Sequence, residues 1–283
     1  MFTIFRQSLT RSRGTVLGWG LSLALLSMYL MTFYDTLVQQ QAGLQQMLAG
    51  YPPELMSFFG SVTEMFTPQG YLTLEFFSYM PLVLGIYAVL AGSGLVASEE
   101  ENGTLDLVLA HPISRSRLFL GRFLAFLWDV FVILAISWVG FVIGMRWTHM
   151  ELSWGELAIP FVPLAVVLLL FGSLALLGSM LLPARRLAAM LAGLVVVGSY
   201  FVTSLARVDE NLEAVARFSP LNYYQSGDAI LGLNWGWLLG LIGVSALLAL
   251  LAWWLFERRD IRIGGEGNWR VPMPWKKPAP AEK

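Results

Sequence analysis

Cysteine is absent from the 283 residues, which excludes disulfides, thiolate nucleophiles and sulfur-ligated metal sites. Histidine is nearly absent too, with only His111 and His149, and lysine occurs only at Lys276, Lys277 and Lys283. Charge of either sign is scarce: 13% of residues are charged, against roughly 25% in an ordinary soluble domain. The net charge is −1 and the basic residues are scattered, so there is no basic face to neutralise phosphates and no nucleic-acid partner is expected. In place of charge the chain is 57% hydrophobic, with 11 Trp and 18 Phe. No soluble protein of this size keeps so much apolar surface from water, and the chain reads as an integral membrane protein.

A transmembrane helix needs about 20 mostly apolar residues, and six segments qualify. They are 15–34, 79–97, 118–145, 157–182, 187–206 and 235–256. The fold class is therefore all-α and polytopic, a six-helix domain over 15–256 between a basic segment 1–14 and a tail 257–283. Lys/Arg bias sets orientation. Fifteen of the 18 basic residues fall on one side, within 6–13, 115–122, 185–186 and 258–283, and only Arg146, Arg207 and Arg217 on the other. Both termini are thus expected in the cytoplasm, in agreement with an even number of spans. The first span is too long for a signal-peptide core, and no small-residue cleavage site follows it. Trp147, Trp154, Trp235 and Trp237 near the outer ends of spans, and Trp253 and Trp254 near an inner end, read as an aromatic belt.

Before the first span, Phe2, Phe5 and Leu9 would share a helical face away from Arg6 and Arg13. This suits a helix lying in the inner interface, and equally an ordinary positive flank. The outer loop 35–78 has no basic residue and carries Asp35, Glu54, Glu64 and Glu75 among apolar side chains. Short amphipathic helices on the outer membrane edge are expected there, and again over 209–218. Ten of the 19 acidic residues lie outside, which reads as a solvated surface or as a vestibule for cations.

The loop between the second and third spans, 98–117, is the most informative. Ser98 and Glu101 have capping-box spacing, which would start a helix at the membrane exit. Leu105, Val108 and Leu109 follow as an apolar stripe. Pro112 stops that helix, and Ser114 can cap the next, which runs into the third span. The expected product is a short amphipathic helix along the membrane, which either fills a groove on a cytoplasmic partner or only braces the bundle.

Residues 99–125, EEENGTLDLVLAHPISRSRLFLGRFLA, resemble the cytoplasmic loop of the permease subunits of ABC type-2 exporters. The pattern is an acidic pair, Gly-Thr-Leu-Asp/Glu, a Leu-rich turn and Pro-Ile/Val-Ser-Arg, carried here by Glu99, Glu100, Gly103, Thr104, Leu105, Asp106, Leu109, Pro112, Ile113, Ser114 and Arg115. The preceding IYAVLAGSGLVASEE is similar to the family's second span, and Phe218-Ser-Pro-Leu-Asn-Tyr-Tyr to its Ser-Pro stretch before the last. The resemblance implies that this loop couples the chain to a cytoplasmic ABC ATPase dimer, which binds ATP and Mg. It also implies a half-transporter that pairs with a second copy or a sister permease in a bacterial cell membrane and exports a substrate. The chain agrees with that division of labour: a P-loop needs a Lys after a Gly-rich turn, and no Gly-Lys pair exists.

Other residues compete for a role. Asp129 is the one carboxylate expected deep inside a span, and an intramembrane acid is a functional candidate by default. It could bind a cation, carry a proton or contact a polar substrate group. The plain alternative is a hydrogen bond to a neighbouring helix. Gly14 and Gly18, and Gly232, Gly236 and Gly240, recur at i+4, which permits close helix approach within the subunit or between subunits. Enzyme readings fail on residue types, because two His on opposite sides of a membrane build neither a metal site nor a Ser-His-Asp triad. The expected function is an ABC export permease without its own ATPase site. The competing readings are a carrier driven by an ion gradient through Asp129, and a scaffold that binds partners without moving solute.

Overall fold

The computed structural model describes residues 2–48, 64–103, 114–207 and 209–258. Among these residues all regular structure is helical. The elements are α1 (Phe2–Gln39), α2 (Gln41–Leu48), α3 (Pro68–Leu72), α4 (Met80–Gly94), α5 (Ala97–Glu101), α6 (Arg115–Gly144), α7 (Trp154–Ala158), α8 (Phe161–Leu181), α9 (Arg185–Ala206), α10 (Glu213–Ala216) and α11 (Trp235–Arg258). Five stretches are each long and apolar enough to cross a membrane: α1, α6 extended to Trp147, α7 with α8, α9, and α11. A sixth arises if the segment Pro68–Phe77 and α4, bent by 41° at their junction, count as one span.

The bend has a local cause. Thr73–Phe77 forms a π-helical turn in which the Ser78 N–H donates to the Thr73 carbonyl at 2.9 Å. Pro81 then stands in the first turn of α4, where its missing N–H costs nothing, whereas a continuous helix would set its ring against the carbonyl four residues back. This changes the expectation for the outer loop. Its second half does not lie on the membrane edge, because Leu72, Phe76 and Phe77 are buried in the main core. Phe76 meets Phe141 edge-on at 4.9 Å between centroids, and Phe77 meets Phe161 at 5.1 Å.

α1 is a single helix of 38 residues. At about 1.5 Å per residue it is about 57 Å long, well beyond the ~30 Å hydrocarbon core. The basic stretch ahead of the first expected span is thus helical and continuous with it. Ile4 is buried among Val96, Leu118, Phe119, Met180 and Phe256, in a second apolar cluster at the bundle's basic end.

α1 and α6 run parallel. Ser12 bonds Asp129, Ser27 bonds Ser137 at 3.2 Å, and the His149 N–H donates to Asp35 at 3.0 Å. Their contact is close because Gly140 lies where a Cβ would strike the backbone of Ala24. α8, apolar on all sides, takes the centre, as such a helix must, and packs on α4, α9 and α11. Its Gly172 carbonyl fills the place a Cβ on Gly92 of α4 would need. α9 buries only the stripe Ala188, Ala192, Val196 and Ser199 and leaves Leu187, Met190, Leu191 and Leu194 exposed.

Candidate functional site

The segment expected to couple the chain to a partner begins in α5, where the acidic run is divided among three surroundings. α5 starts at Ala97 after Val96, with no side-chain cap. Ser98 is therefore inside the first turn rather than ahead of it, and the expected capping box with Glu101 does not form. Glu101 caps a different helix: its carboxylate accepts the Arg185 N–H at 2.8 Å, at the positive end of the α9 dipole. Glu100 is buried. Glu99 lies between two guanidiniums, that of Arg11 on α1 at 3.2 Å and that of Arg122 on α6.

Arg122 is itself buried and donates a further bond to the Leu95 carbonyl at 2.9 Å, just past the end of α4, where a cation is favoured. Arg185 closes the ring by donating to the Leu90 carbonyl at 3.1 Å. One short acidic turn thus ties α1, α4, α6 and α9 together.

The far flank of the loop is equally anchored. Ser114 caps α6, as its position before Arg115 implies, by accepting the Arg117 N–H at 3.4 Å. Arg115 donates to the Phe256 and Glu257 carbonyls at 3.3 and 3.4 Å. Ser116 donates to the Glu257 carboxylate and accepts from the Trp253 indole at 3.2 Å. The last turn of α11 is therefore held by the first turn of α6. Gly103, the last described residue before the loop, has φ 65°, a left-handed conformation that favours glycine. Thr104, Leu105, Asp106, Leu109, Pro112 and Ile113 lie outside the described residues.

Beside this anchor, between α1, α4 and α6, is a cavity of about 760 Å³. Arg11, Glu99, Arg122 and Arg185 border it at the basic end, and Ser12, Trp19, Tyr87, Phe126 and Asp129 line it further in. Asp129 is buried and its Oδ1 accepts the Ser12 hydroxyl at 3.0 Å. Sequence reasoning found Asp129 but not its partner. Ser8, Ser12, Thr15 and Trp19 share a helical spacing, but Arg6, Gln7, Thr10, Arg11 and Arg13 around them hide that face in the sequence. Arg11, Arg185 and Tyr87 were missed as well, since nothing in their local sequence marks them.

Within the described residues of the chain, the glycine pairs singled out by spacing are not the ones that pack. Among the described residues nothing lies within 4 Å of a Cβ on Gly14, Gly18, Gly232 or Gly240, and a Cβ on Gly236 meets only the nearby Asn234 side chain. The Ser-Pro stretch before the last span does have a structural task. Ser219 shares a hydrogen bond with Thr203 at 2.8 Å and donates to the Ser199 carbonyl at 3.2 Å, which fastens the connection to α9.

Long apolar helices with close glycine contacts, and a charged anchor beside a cavity, are the features of a multi-pass membrane protein. The chain belongs to the ABC-2 family transporter proteins, whose family model matches residues 3–261. Members of this family are the membrane permease subunits of ABC transporters and work with an ABC ATPase. A search of curated proteins finds no match.

Proposed function

We propose that this chain is the permease half of an ATP-driven exporter, with residues 98–117 as the element through which a cytoplasmic ATPase dimer moves the bundle. The observation that carries the reading is the anchoring of that element on both flanks. Glu99 and Glu101 tie it to α1, α6 and α9, and Arg115 and Ser116 tie it to α11. A push on a loop held so firmly displaces helices rather than stretching the loop. In this reading Glu99, Glu100, Gly103, Thr104, Leu105, Asp106, Leu109, Pro112, Ser114 and Arg115 form the coupling element, and ATP and Mg are bound by the partner.

The bundle crosses a bacterial cell membrane six times, with the bent pair as the second span and both termini in the cytoplasm. The parallel course of α1 and α6 suits this order, in which the first and third spans point the same way. A second copy or a sister permease completes the pathway, and lipid covers the rest. The apolar outer faces of α9 and α11, and the open glycines on α1 and α11, supply the surface for both.

The test is purification of the tagged chain from its native membrane in mild detergent, with mass spectrometry of stoichiometric partners and transport in liposomes. A co-purifying P-loop ATPase is expected. Gly103→Pro and Asp106→Arg are expected to leave insertion intact and to uncouple ATP hydrolysis from transport. A chain that purifies alone and moves solute without ATP would overturn the reading in favour of a gradient-driven carrier.

A further inference from the structure

We infer that the cavity between α1, α4 and α6 is a binding site for amphipathic organic cations, with the Asp129 carboxylate as the charge partner and Trp19 and Tyr87 as the aromatic wall. Three observations point to this class of ligand. First, the carboxyl group inside the cavity has no basic partner among the described residues: no basic side chain comes within 4 Å of Asp129. Its one hydrogen bond comes from the neutral Ser12 hydroxyl, on Oδ1. A carboxylate offers about four acceptor sites, and burying an anion with a single neutral partner is costly. A cation beside it recovers that cost.

Second, the positive charges at the rim are already engaged. Arg11 and Arg122 share Glu99, Arg122 also holds the Leu95 carbonyl, and Arg185 holds the Leu90 carbonyl while Glu101 caps its backbone. Three guanidiniums and the Glu99 carboxylate border the rim, and each guanidinium already makes at least one bond, so donor capacity there is partly spent, whereas acceptor capacity is open deeper in. An anionic amphiphile would have to displace bonds at the rim and leave Asp129 unmatched.

Third, the walls suit a hydrophobic body of drug size. The Trp19 and Tyr87 rings lie 6.1 Å apart at 57°, and a tilted aromatic pair offers ring faces to a cation. Phe126, Leu90, Ala91 and Ala125 supply further apolar lining. The volume, about 760 Å³, falls in the range of small-molecule sites, roughly 300–1,000 Å³.

The site rests on the permease reading only for the step from binding to transport. Its test therefore uses the full chain alone in phosphatidylcholine nanodiscs, without ATPase or nucleotide. The probes are tetraphenylphosphonium and tetraphenylborate, near-isosteric ions of opposite charge, each measured by equilibrium binding against protein-free nanodiscs. Saturable binding of the cation at one site per chain is expected, with no matching saturable site for the anion. Asp129→Asn should weaken cation binding by about tenfold or more, the loss of one charged partner, while Asp129→Glu retains it. Trp19→Leu, which leaves the buried acid in place, should weaken binding about three- to fivefold. Equal saturable binding of both ions, preference for tetraphenylborate, or cation binding unchanged in Asp129→Asn would each overturn the proposal. None of those results bears on whether an ATPase co-purifies, so the two readings fail separately.

Discussion

At the scale of single residues, Glu99 is the side chain on which most depends. It is largely buried between Arg11, which is mostly exposed, and Arg122, which is not. Glu99→Gln leaves Arg122 as a buried cation facing only the Leu95 carbonyl and the new amide. Breaking such a pair from one side costs about 2–4 kcal/mol, to be read as a clear drop in thermal stability in detergent. Arg11→Gln removes the exposed arm of the same contact and should cost less than about 1 kcal/mol. If the two variants melt alike, the asymmetry assigned to this cluster is wrong. The sequence displayed the three consecutive acids but not their different tasks. Glu99 finds Arg11 across 88 positions, and no local pattern carries that information. Ser98 illustrates the converse. Its spacing to Glu101 satisfies a capping box, yet α5 begins at Ala97, two residues before a helix capped by Ser98 would, and Glu101 meets the start of α9 instead.

At the scale of elements, helix identity was legible and helix contact was not. Apolar runs bounded by Arg, Trp and Pro mark α6, α8, α9 and α11 closely, and Ser114 caps α6 as its position implies. The bend between Pro68–Phe77 and α4 was hidden, since the segment before it resembles an amphipathic loop until Phe76 and Phe77 are seen among Phe141 and Phe161. Glycine spacing was a poor guide to packing within the chain. The close crossings are those of Gly92 with Gly172, and of Gly140 with Ala24, none of which belongs to the i+4 pairs noted in the sequence. Gly92→Val should force α4 and α8 apart and abolish a monodisperse peak in size-exclusion chromatography, because a side chain there meets backbone rather than a movable side-chain end. Gly18→Val, of equal size on a face open to its surroundings, should leave the monomer intact. Reversal of these outcomes would mean that the α4–α8 contact is misassigned.

At the scale of the whole molecule, the parallel pairing of α1 with α6 organises everything else. It sets the cavity's third wall against α4, brings Ser12 to Asp129, and places Arg11 beside Glu99. The absence of cysteine makes it directly testable. The Ser27 and Ser137 hydroxyls lie 3.2 Å apart across the two helices, which makes these positions the natural pair for a cysteine cross-link. Oxidised Ser27→Cys/Ser137→Cys should form an intramolecular cross-link visible as a gel shift that reductant reverses, whereas Ser27→Cys/Ser199→Cys should not. An uncrosslinked first pair would undo the shared wall and, with it, the cation site.

What the sequence by itself determined is what hydrophobicity and local chemistry determine: an all-helical membrane protein, the positions of its long helices, the cap at Ser114, and a loop whose motif pointed to the right family. These follow from free-energy terms that depend on neighbours within a few positions, namely transfer of apolar runs and satisfaction of backbone groups. The tertiary structure alone decided which helices touch, where the chain bends ahead of α4, how the acids at 99–101 divide, and that Asp129 faces a cavity with Ser12 as its partner. Those depend on contacts between segments many tens of residues apart. In a chain whose helices are nearly all apolar, hydrophobicity cannot choose among neighbours; the few glycines that permit close approach and the few polar groups that require a partner make that choice.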